Sequence, residues 1–239
     1  MRRTDAGILA GCTVLLIAAV LWASPAAAVR GVTFHTDDGV TLAGLWYEPF
    51  VHPAPAVVLV HMLHRTRRDW EPLASRLAAE GIGVLAFDLR GHGASGGSVP
   101  AADGYDVFLE DIAAARRYVV ARGDAAPFRI GVAGASIGAN LAVLDAAATP
   151  GIKSLALLSP SLDYRGLRIE PAIRKVSAPI LLVAGEDDPY AMRSLRELAA
   201  AGGGVRESLT LPWAGHGTMM FSRSPDLVQR LVDWFRRTL

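Results

Sequence analysis

The stretch FRIGVAGASIGANLAVLDAAA, residues 128–148, constrains the fold more than any other part of the chain. A short apolar run leads into GASIG, residues 134–138, and a run rich in alanine and leucine follows. This order predicts a buried strand, a tight turn and a helix, with Ser136 at the junction. Glycines suit a sharp turn between closely packed backbones, and the N-terminus of a helix stabilises negative charge beside the serine.

The pattern G-x-S-x-G at a strand–helix junction is typical of a nucleophile elbow, in which a strained turn presents a catalytic serine. The plainer interpretation is a serine that caps an ordinary helix. The letters alone are weak evidence, because residues 93–97 (GASGG) match them as well. Ser95 is followed by Ser98-Val99-Pro100, so no helix can begin there. Context therefore selects Ser136 as the candidate nucleophile.

Length and composition agree with one large domain of mixed helix and strand. The chain has 239 residues, of which 51% are hydrophobic, so a substantial core is possible. The formal net charge is +1, which gives no reason to expect nucleic acid or an acidic partner.

The first 28 residues differ from the rest of the chain. Arg2 and Arg3 are followed by a run without charge from Ala6 to Ala28, which ends in three alanines. This pattern predicts a signal peptide that is cleaved near Ala28, leaving residues 29–239 as an exported periplasmic or secreted domain. Two alternatives are an uncleaved membrane anchor and lipidation at Cys12.

Cys12 is the only cysteine. A domain that begins at residue 29 therefore has no cysteine, and we expect it to have neither a disulfide nor thiolate chemistry.

Apolar runs and helical periodicity alternate along the rest of the chain. The predicted strands are 31–36, 40–47, 56–60, the strand before Ser136, 152–158, 179–184 and 205–211, with a further buried strand at 83–87. The predicted helices are 70–80, 103–121, the helix after Ser136, 190–201 and 225–239. The alternation predicts an α/β fold, with a doubly wound, mostly parallel sheet that begins with an antiparallel hairpin. Residues 161–177 are predicted to be a short, polar, irregular connection, too short for a large lid.

Polar side chains follow three of the predicted strands in the order Ser, Asp, His. Ser136 follows one strand, Asp187 and Asp188 follow the strand 179–184, and His216 follows the last strand. Ligands of such sheets bind at the carboxyl ends of the strands. A serine hydroxyl needs a base to become a nucleophile, and an imidazole base needs a carboxylate to orient it. The three positions therefore predict a catalytic triad.

The motifs resemble those of the α/β-hydrolase superfamily over nearly the whole predicted domain. VVLVHMLH (57–64) resembles the oxyanion region, DLRGHGAS (88–95) the loop that follows the next strand, GASIG the elbow, GEDDP (185–189) the acid turn and AGHG (214–217) the histidine turn. The resemblance is greatest to small, lidless serine esterases and dienelactone-hydrolase-like proteins. It implies Ser136, Asp188 and His216 as the triad, because the acid turn G-x-x-D places the carboxylate at residue 188.

The same resemblance implies an oxyanion hole formed by the backbone N–H groups of Ile137 and Leu63. The family usually has glycine after the histidine of the oxyanion strand, and Met62 stands in its place. A Cβ at this position can tilt the peptide that carries the second donor.

Apolar and aromatic residues on the same loops are candidates for the substrate pocket, with core packing as the alternative for each. They are Met62, Tyr190, Met219, Met220 and Phe221.

Several charged residues near the oxyanion loop allow more than one interpretation. Arg65, Arg67 and Arg68 form either a solvated helix approach or a site for an anionic group of the substrate. His61 and His92 are predicted to be structural. Asp88 and Arg90 are predicted to pair with each other.

The leading hypothesis is a serine hydrolase that cleaves small to medium carboxylic esters through an acyl-enzyme, with a small-molecule ester as its substrate and no nucleic acid partner. The alternatives are an acyltransferase or peptidase that uses the same triad, and an inactive binding protein that retains the fold. We expect no cofactor and no metal, because the Asp and His positions do not resemble a metal cluster and no nucleotide-binding motif is present. Contact with a membrane is expected only through an uncleaved N-terminal segment.

Overall fold

The computed structural model of the protein describes residues 28–239. The predicted signal peptide or anchor and Cys12 lie outside the described residues, which begin at Ala28. No helix among the described residues has the length and apolar character needed to cross a membrane.

An eight-stranded sheet forms the centre of the domain. Its strands are β1 (Val29–His35), β2 (Thr41–Tyr47), β3 (Ala54–Val60), β4 (Gly83–Phe87), β5 (Ala125–Ala135), β6 (Ile152–Leu158), β9 (Ile180–Gly185) and β10 (Arg206–Leu211). Two short strands, β7 (Asp163–Tyr164) and β8 (Leu167–Arg168), form a separate hairpin. The predicted N-terminal hairpin and the other predicted strands are therefore present, with shifts of a few residues at their ends.

The strand order across the sheet is β1-β2-β4-β3-β5-β6-β9-β10. β2 is antiparallel to both of its neighbours, and all other pairs are parallel. The predicted doubly wound, mostly parallel α/β sheet with an antiparallel start is confirmed. The carboxyl ends of the parallel strands lie along one edge, which we call the upper end of the sheet, and their beginnings lie at the lower end.

Within residues 28–239, seven α-helices accompany the sheet: α1 (Glu71–Ala79), α2 (Phe108–Ala121), α3 (Ile137–Ala148), α4 (Glu170–Ile173), α5 (Pro189–Ala199), α6 (Met220–Arg223) and α7 (Asp226–Thr238). The apolar side chains of α2, α3 and α5 pack on one face of the sheet, and those of α1 and α7 pack on the other. In β3, Val58 points to the first face and Val57 to the second. This two-sided cover explains why the central strands are continuous apolar runs.

The connection at residues 161–177 differs from its prediction as irregular chain, because it contains the β7–β8 hairpin and helix α4. The amide of Asn140 in α3 holds it in place by donating hydrogen bonds to the carbonyl oxygens of Ser161 and Leu167, both at 2.9 Å. Two residues of this connection, Ile169 and Ile173, are fully buried. Buried apolar residues and a buried amide therefore fold this segment onto the domain. It is not a large cap.

Candidate active site

Ser136 lies at the turn between β5 and α3, in a backbone conformation that non-glycine residues rarely adopt, with φ 53° and ψ −121°. The two glycines of the motif permit this turn. A Cβ on Gly134 would lie 2.1 Å from the carbonyl oxygen of Gly138, and one on Gly138 would lie 2.4 Å from that of Val60. The turn therefore requires glycine at both positions, and the strain presents the serine side chain at the upper end of the sheet.

His216 and Asp188 meet on neighbouring loops at the same end of the sheet. The Nδ1 atom of His216 lies 2.5 Å from Oδ2 of Asp188. The other oxygen of Asp188 caps α5 by accepting a hydrogen bond from the N–H of Ala191 at 3.1 Å. The carboxylate thus rests at the positive end of a helix dipole, which stabilises its charge and fixes its orientation toward the imidazole.

Asp187 points away from the imidazole. Its Oδ1 accepts a hydrogen bond from the N–H of Gly215 at 2.8 Å, and its Oδ2 lies 3.6 Å from the guanidinium of Arg223. Of the two adjacent aspartates, Asp188 therefore contacts His216. Asp187 instead connects its own loop to the backbone of residues 214–217, the loop that carries His216, which we call the histidine loop.

Ser136 and His216 line one open cleft with a volume of about 520 Å³. The other residues that line it are Met62, Leu63, His64, Arg65, Tyr105, Tyr164 and Arg165. The Ser136 hydroxyl makes no hydrogen bond to another residue in the part of the chain that the structure describes. Hydrogen bonds between a nucleophile and its base are often long in a structure without substrate, so this placement is compatible with catalysis.

The N–H groups of Ile137 and Leu63 have no acceptor within residues 28–239. Ile137 is the first residue of α3, where the backbone N–H has no partner inside the helix. Met62, which replaces the family's glycine, is buried, and its sulfur fills the space beside Gly217, where a Cβ would lie 2.2 Å from it. The methionine thus packs the oxyanion loop against the histidine loop and leaves the Leu63 N–H without a partner.

His61 is fully buried behind the oxyanion loop. Its Nε2 accepts a hydrogen bond from the N–H of Leu89 at 3.0 Å, so Nδ1 carries the proton and donates it to the carbonyl of Met62 at 2.7 Å. Burial lowers the pKa of His61 to about 4. His92 similarly accepts from the N–H of His64, at 3.1 Å. Both histidines hold backbone in place, as predicted from the sequence.

The prediction that Asp88 and Arg90 pair with each other is wrong. Asp88 is fully buried and pairs with Arg67, whose backbone N–H it also accepts at 2.7 Å. Arg90 instead lies between Asp38 and Asp111, with contacts of 2.6 and 2.8 Å. The chain turns at Arg90 and Gly91, where Gly91 has a φ of 72°, so the side chains of Asp88 and Arg90 meet different neighbours.

Most of the predicted pocket residues lie outside the cleft that contains Ser136. Met62 lines it, but Met220 is fully buried in the core against α7. Met219 and Phe221 line a neighbouring cavity of about 660 Å³, which Arg65 and Arg68 also border. Tyr190 is exposed and donates its hydroxyl to the carbonyl of Asp163 at 3.1 Å. The short helix α6 turns the side chains of Met220 and Phe221 away from Ser136.

Sequence reasoning missed Tyr105, Tyr164 and Arg165, which form one wall of the cleft. The two tyrosine rings stack with their centroids 6.1 Å apart and their planes at 12°. Tyr164 and Arg165 reach the cleft because the β7–β8 hairpin folds over it. No local pattern marks these residues, since their contact depends on two loops that are distant in sequence.

Ser95, in the second match to the elbow pattern, has a structural role. Its Oγ accepts a hydrogen bond from the N–H of Ala43 at 2.9 Å and donates one to the carbonyl of Asp88 at 2.6 Å. No helix begins directly after Ser95. Over residues 28–239, no group of three or more His, Cys, Asp or Glu side chains is arranged to hold a metal ion.

Comparisons with known proteins agree with this architecture. Residues 51–171 match the family described as serine aminopeptidase, S33. A Mycobacterium tuberculosis protein, MT2364, is 32% identical over 233 residues, which cover 88% of this chain and 79% of the relative. The solved esterase Pf2001 of Pyrococcus furiosus superposes with a TM-score of 0.73 at 20% identity, over 89% of this chain and 91% of that one. A dienelactone hydrolase of Anabaena variabilis superposes with a TM-score of 0.74 at 18% identity, over 89% and 99%. The matched family, the parallel sheet and the strained Ser136 elbow together identify the chain as a member of the serine aminopeptidase S33 family of α/β-hydrolases.

Proposed function

We propose that the protein is a serine hydrolase that cleaves carboxylic esters with small to medium acyl groups. The hydrogen bond between His216 and Asp188, beside the cleft that Ser136 lines, is the observation that carries this proposal. An imidazole with a fixed carboxylate on Nδ1 presents Nε2 as a base toward the cleft. The φ of 53° at Ser136 is a backbone strain of the kind that is concentrated at functional sites.

In the proposed mechanism, Oγ of Ser136 attacks the ester carbonyl while Nε2 of His216 takes the hydroxyl proton. The tetrahedral intermediate collapses when the C–O bond to the alcohol breaks, and His216 gives the proton to the departing oxygen. Water then attacks the acyl-enzyme by the same route, releasing the acid and restoring the serine. Asp188 orients the imidazole and stabilises the imidazolium that forms twice in each cycle.

The N–H groups of Ile137 and Leu63 would stabilise the oxyanion of both tetrahedral intermediates. Their lack of another acceptor supports this role, because donors that are already oriented need no reorganisation when the charge develops. The positive end of α3 adds to the favourable potential at the same point.

Peptide hydrolysis is the second candidate, because the matched family is described as serine aminopeptidase. An aminopeptidase must bind a positively charged amino terminus. The residues that line the cleft include Arg65 and Arg165 but no carboxylate side chain. Arg65 pairs with Asp69 at 2.7 Å, which leaves Arg165 as the lining cation that has no ion pair among the described residues. A cation without a partner at the cleft disfavours an amino terminus and favours neutral or anionic esters. Acyl transfer to another alcohol would use the same residues and differs only in the acceptor.

The decisive experiment treats the purified protein with a fluorophosphonate probe and locates the label by peptide mass spectrometry. We expect the label on Ser136. Hydrolysis of nitrophenyl esters from acetate to long-chain acids is then compared with hydrolysis of aminoacyl nitroanilides, with and without an added alcohol acceptor.

Ser136→Ala should abolish both labelling and ester hydrolysis, and Ser95→Ala is the matched control in the second copy of the motif. A label on Ser95, or wild-type turnover in the Ser136→Ala enzyme, would refute the assignment. Faster cleavage of the nitroanilides would favour the peptidase, and ester exchange with the alcohol would favour the acyltransferase. Lack of any labelling or turnover in folded protein would support an inactive binding protein.

We also propose that the domain acts outside the cytoplasm, from the charge pattern of residues 1–28. N-terminal sequencing of the protein recovered from the producing cells tests this proposal. A new N-terminus near Val29 in the exported fraction is expected. Met1 in a membrane fraction would indicate the anchor, and a lipid on Cys12 would indicate a lipoprotein.

A further inference from the structure

Exposed apolar side chains are concentrated at the end of the domain opposite the candidate active site. Nine large apolar residues are exposed among residues 28–239, and three of them, Tyr190, Trp213 and Met219, lie on loops at the upper end. The other six lie at the lower end, where the parallel strands begin: Val29, Phe50, Val51, Val120, Phe128 and Val205. Scattered exposed apolar residues are common, but a concentration at one end marks an interaction surface.

The centre of this surface is formed by Phe50, Val51 and Phe128, which we call the basal patch. Phe50 and Val51 directly precede β3 and are 60% and 56% exposed. Phe128 lies at the start of β5, where the pairing with β3 is irregular, and it is 79% exposed. Each of the three residues stays more than half exposed within the described part of the chain. Two aromatic rings kept largely in water are a cost that contact with an apolar partner would remove.

The charges around the basal patch are suited to an apolar partner. Three carboxylates at this end are each paired with an arginine, in the pairs Glu48–Arg30 at 2.8 Å, Asp124–Arg122 at 2.6 Å and Glu80–Arg236 at 3.4 Å. Neutralised carboxylates reduce the repulsion that an anionic surface would otherwise meet. Arg129, next to Phe128, is held at the last residue of the chain, where its Nε donates a hydrogen bond to the carbonyl oxygen of Leu239 at 2.6 Å.

The N-terminal segment enters the domain at the same end. Val29 pairs with Tyr47, whose neighbour on the other side is Val84 near the start of β4. The chain that precedes Val29 is the uncharged run Ala6–Ala28. A segment of this kind has affinity for a lipid bilayer, and it meets the domain beside exposed aromatic residues.

We propose that, in molecules that keep the N-terminal segment, the basal patch lies on a lipid bilayer as a second point of attachment beside that segment. Stable membrane attachment usually takes two such signals. In this orientation the cleft lined by Ser136 and His216 faces away from the bilayer, toward water. The proposal concerns the lower end of the domain and does not depend on which reaction the cleft supports.

The test uses the full chain with Cys12→Ser as a cysteine-free background, reconstituted into vesicles of zwitterionic and anionic phospholipids. An environment-sensitive fluorophore is attached at Phe128→Cys in one variant and at Trp213→Cys in the other. The two positions are matched, because Phe128 is 79% and Trp213 is 81% exposed, and they lie at opposite ends of the domain. Melting curves verify that both variants fold, and Phe50→Cys supplies a second reporter.

We expect the label at residue 128 to shift to shorter wavelength with vesicles and to be quenched at least threefold more by nitroxide lipids than the label at residue 213. Iodide in the water should give the reverse order. Equal quenching at the two positions, stronger lipid quenching at residue 213, or no lipid quenching at either would overturn the proposal. Concentration-dependent protection of residue 128 without vesicles would also overturn it and indicate a second copy of the chain.

Discussion

Gly185 at the end of β9 lies directly against Gly215 on the histidine loop. A Cβ on Gly185 would be 2.4 Å from the Gly215 carbonyl oxygen and 2.8 Å from Oδ1 of Asp187. Backbone therefore contacts backbone at the point where the loop of Asp188 meets the loop of His216. The separation of the two loops, and hence the short contact between carboxylate and imidazole, depends on the missing side chain.

Gly185→Ala should therefore lower kcat by up to about 100-fold, because the methyl group must push the histidine loop away by roughly 1 Å. Gly31→Ala is the matched control, since a Cβ there meets nothing within 4 Å and neither glycine needs a positive φ. Ester kinetics and melting curves of both variants provide the measurement. Equal kcat in the two variants would show that the loop contact does not set the geometry.

Asp188→Asn should lower kcat by roughly 10²- to 10⁴-fold, since an amide cannot hold the imidazole in the active tautomer. Asp187→Asn should cost about tenfold at most, because the Oδ1 of asparagine can still accept the N–H of Gly215. The two adjacent substitutions change the same functional group, so steady-state kinetics and melting curves compare them directly. A crippled Asp187→Asn enzyme beside a normal Asp188→Asn enzyme would reverse the assignment.

Buried His61 should make the domain less stable in acid. Its pKa falls from 6.5 to about 4 on folding because burial disfavours the imidazolium. Between these values the unfolded chain binds a proton that the folded protein does not. The free energy of unfolding therefore includes the full contribution of neutral His61 above pH 6.5. This contribution declines by about 3 kcal/mol as the pH falls to 4.

Asp111 opposes this effect, since burial raises its pKa from 3.8 to about 6 and the folded protein takes up its proton first. The wild-type protein and the His61→Gln variant both contain Asp111, so its contribution cancels when their free energies of unfolding are subtracted. We expect wild type to be the more stable at pH 7 and the difference to shrink by about 3 kcal/mol at pH 4. Denaturant unfolding at both pH values measures it, and a constant difference would contradict the assignment.

Arg165 should strengthen binding of esters that carry an anionic group. It lines the cleft, is exposed, and makes no ion pair with another described residue. Arg165→Asn keeps the φ of 50° accessible while removing the charge, and should raise KM about five- to tenfold for a nitrophenyl ester of a dicarboxylic acid. The KM for the neutral butyrate ester should not change.

Arg168→Gln is the control for Arg165, because Arg168 lies on the same hairpin and pairs with Asp163 instead of lining the cleft. The effect should weaken as ionic strength rises. An equal increase in KM for the charged and the neutral ester would mean that Arg165 only shapes the hairpin.

We expect no interfacial activation. The connection above the cleft is short, and the buried Asn140 amide holds it at Ser161 and Leu167. It therefore does not act as a lid that opens on a lipid surface. Initial rates on an ester should follow a smooth saturation curve through its solubility limit, and a sharp rise above that limit would refute this expectation.

The sequence by itself determined the architecture and the candidate triad. Continuous apolar runs predicted strands that are covered on both faces, and GASIG predicted the strand–turn–helix around Ser136. These signals are local, because strand burial, glycine turns and helix periodicity are written within a few neighbouring residues. The order Ser, Asp, His followed from the positions of Ser136, the pair Asp187–Asp188 and His216 after three predicted strands, and the acid turn of the resembled family implied Asp188.

Only the tertiary structure decided which side chains meet across loops. It bonded Asp187 to the N–H of Gly215, paired Asp88 with Arg67, and brought Tyr164 and Arg165 to the cleft while Met220 turned into the core. Such contacts join residues that are far apart in the chain. A shift of one residue in a loop, or of one turn in a helix, points a side chain at a different neighbour. The periodicity of the sequence predicts which residues a strand or helix buries, but the direction of a loop side chain depends on the packing around it.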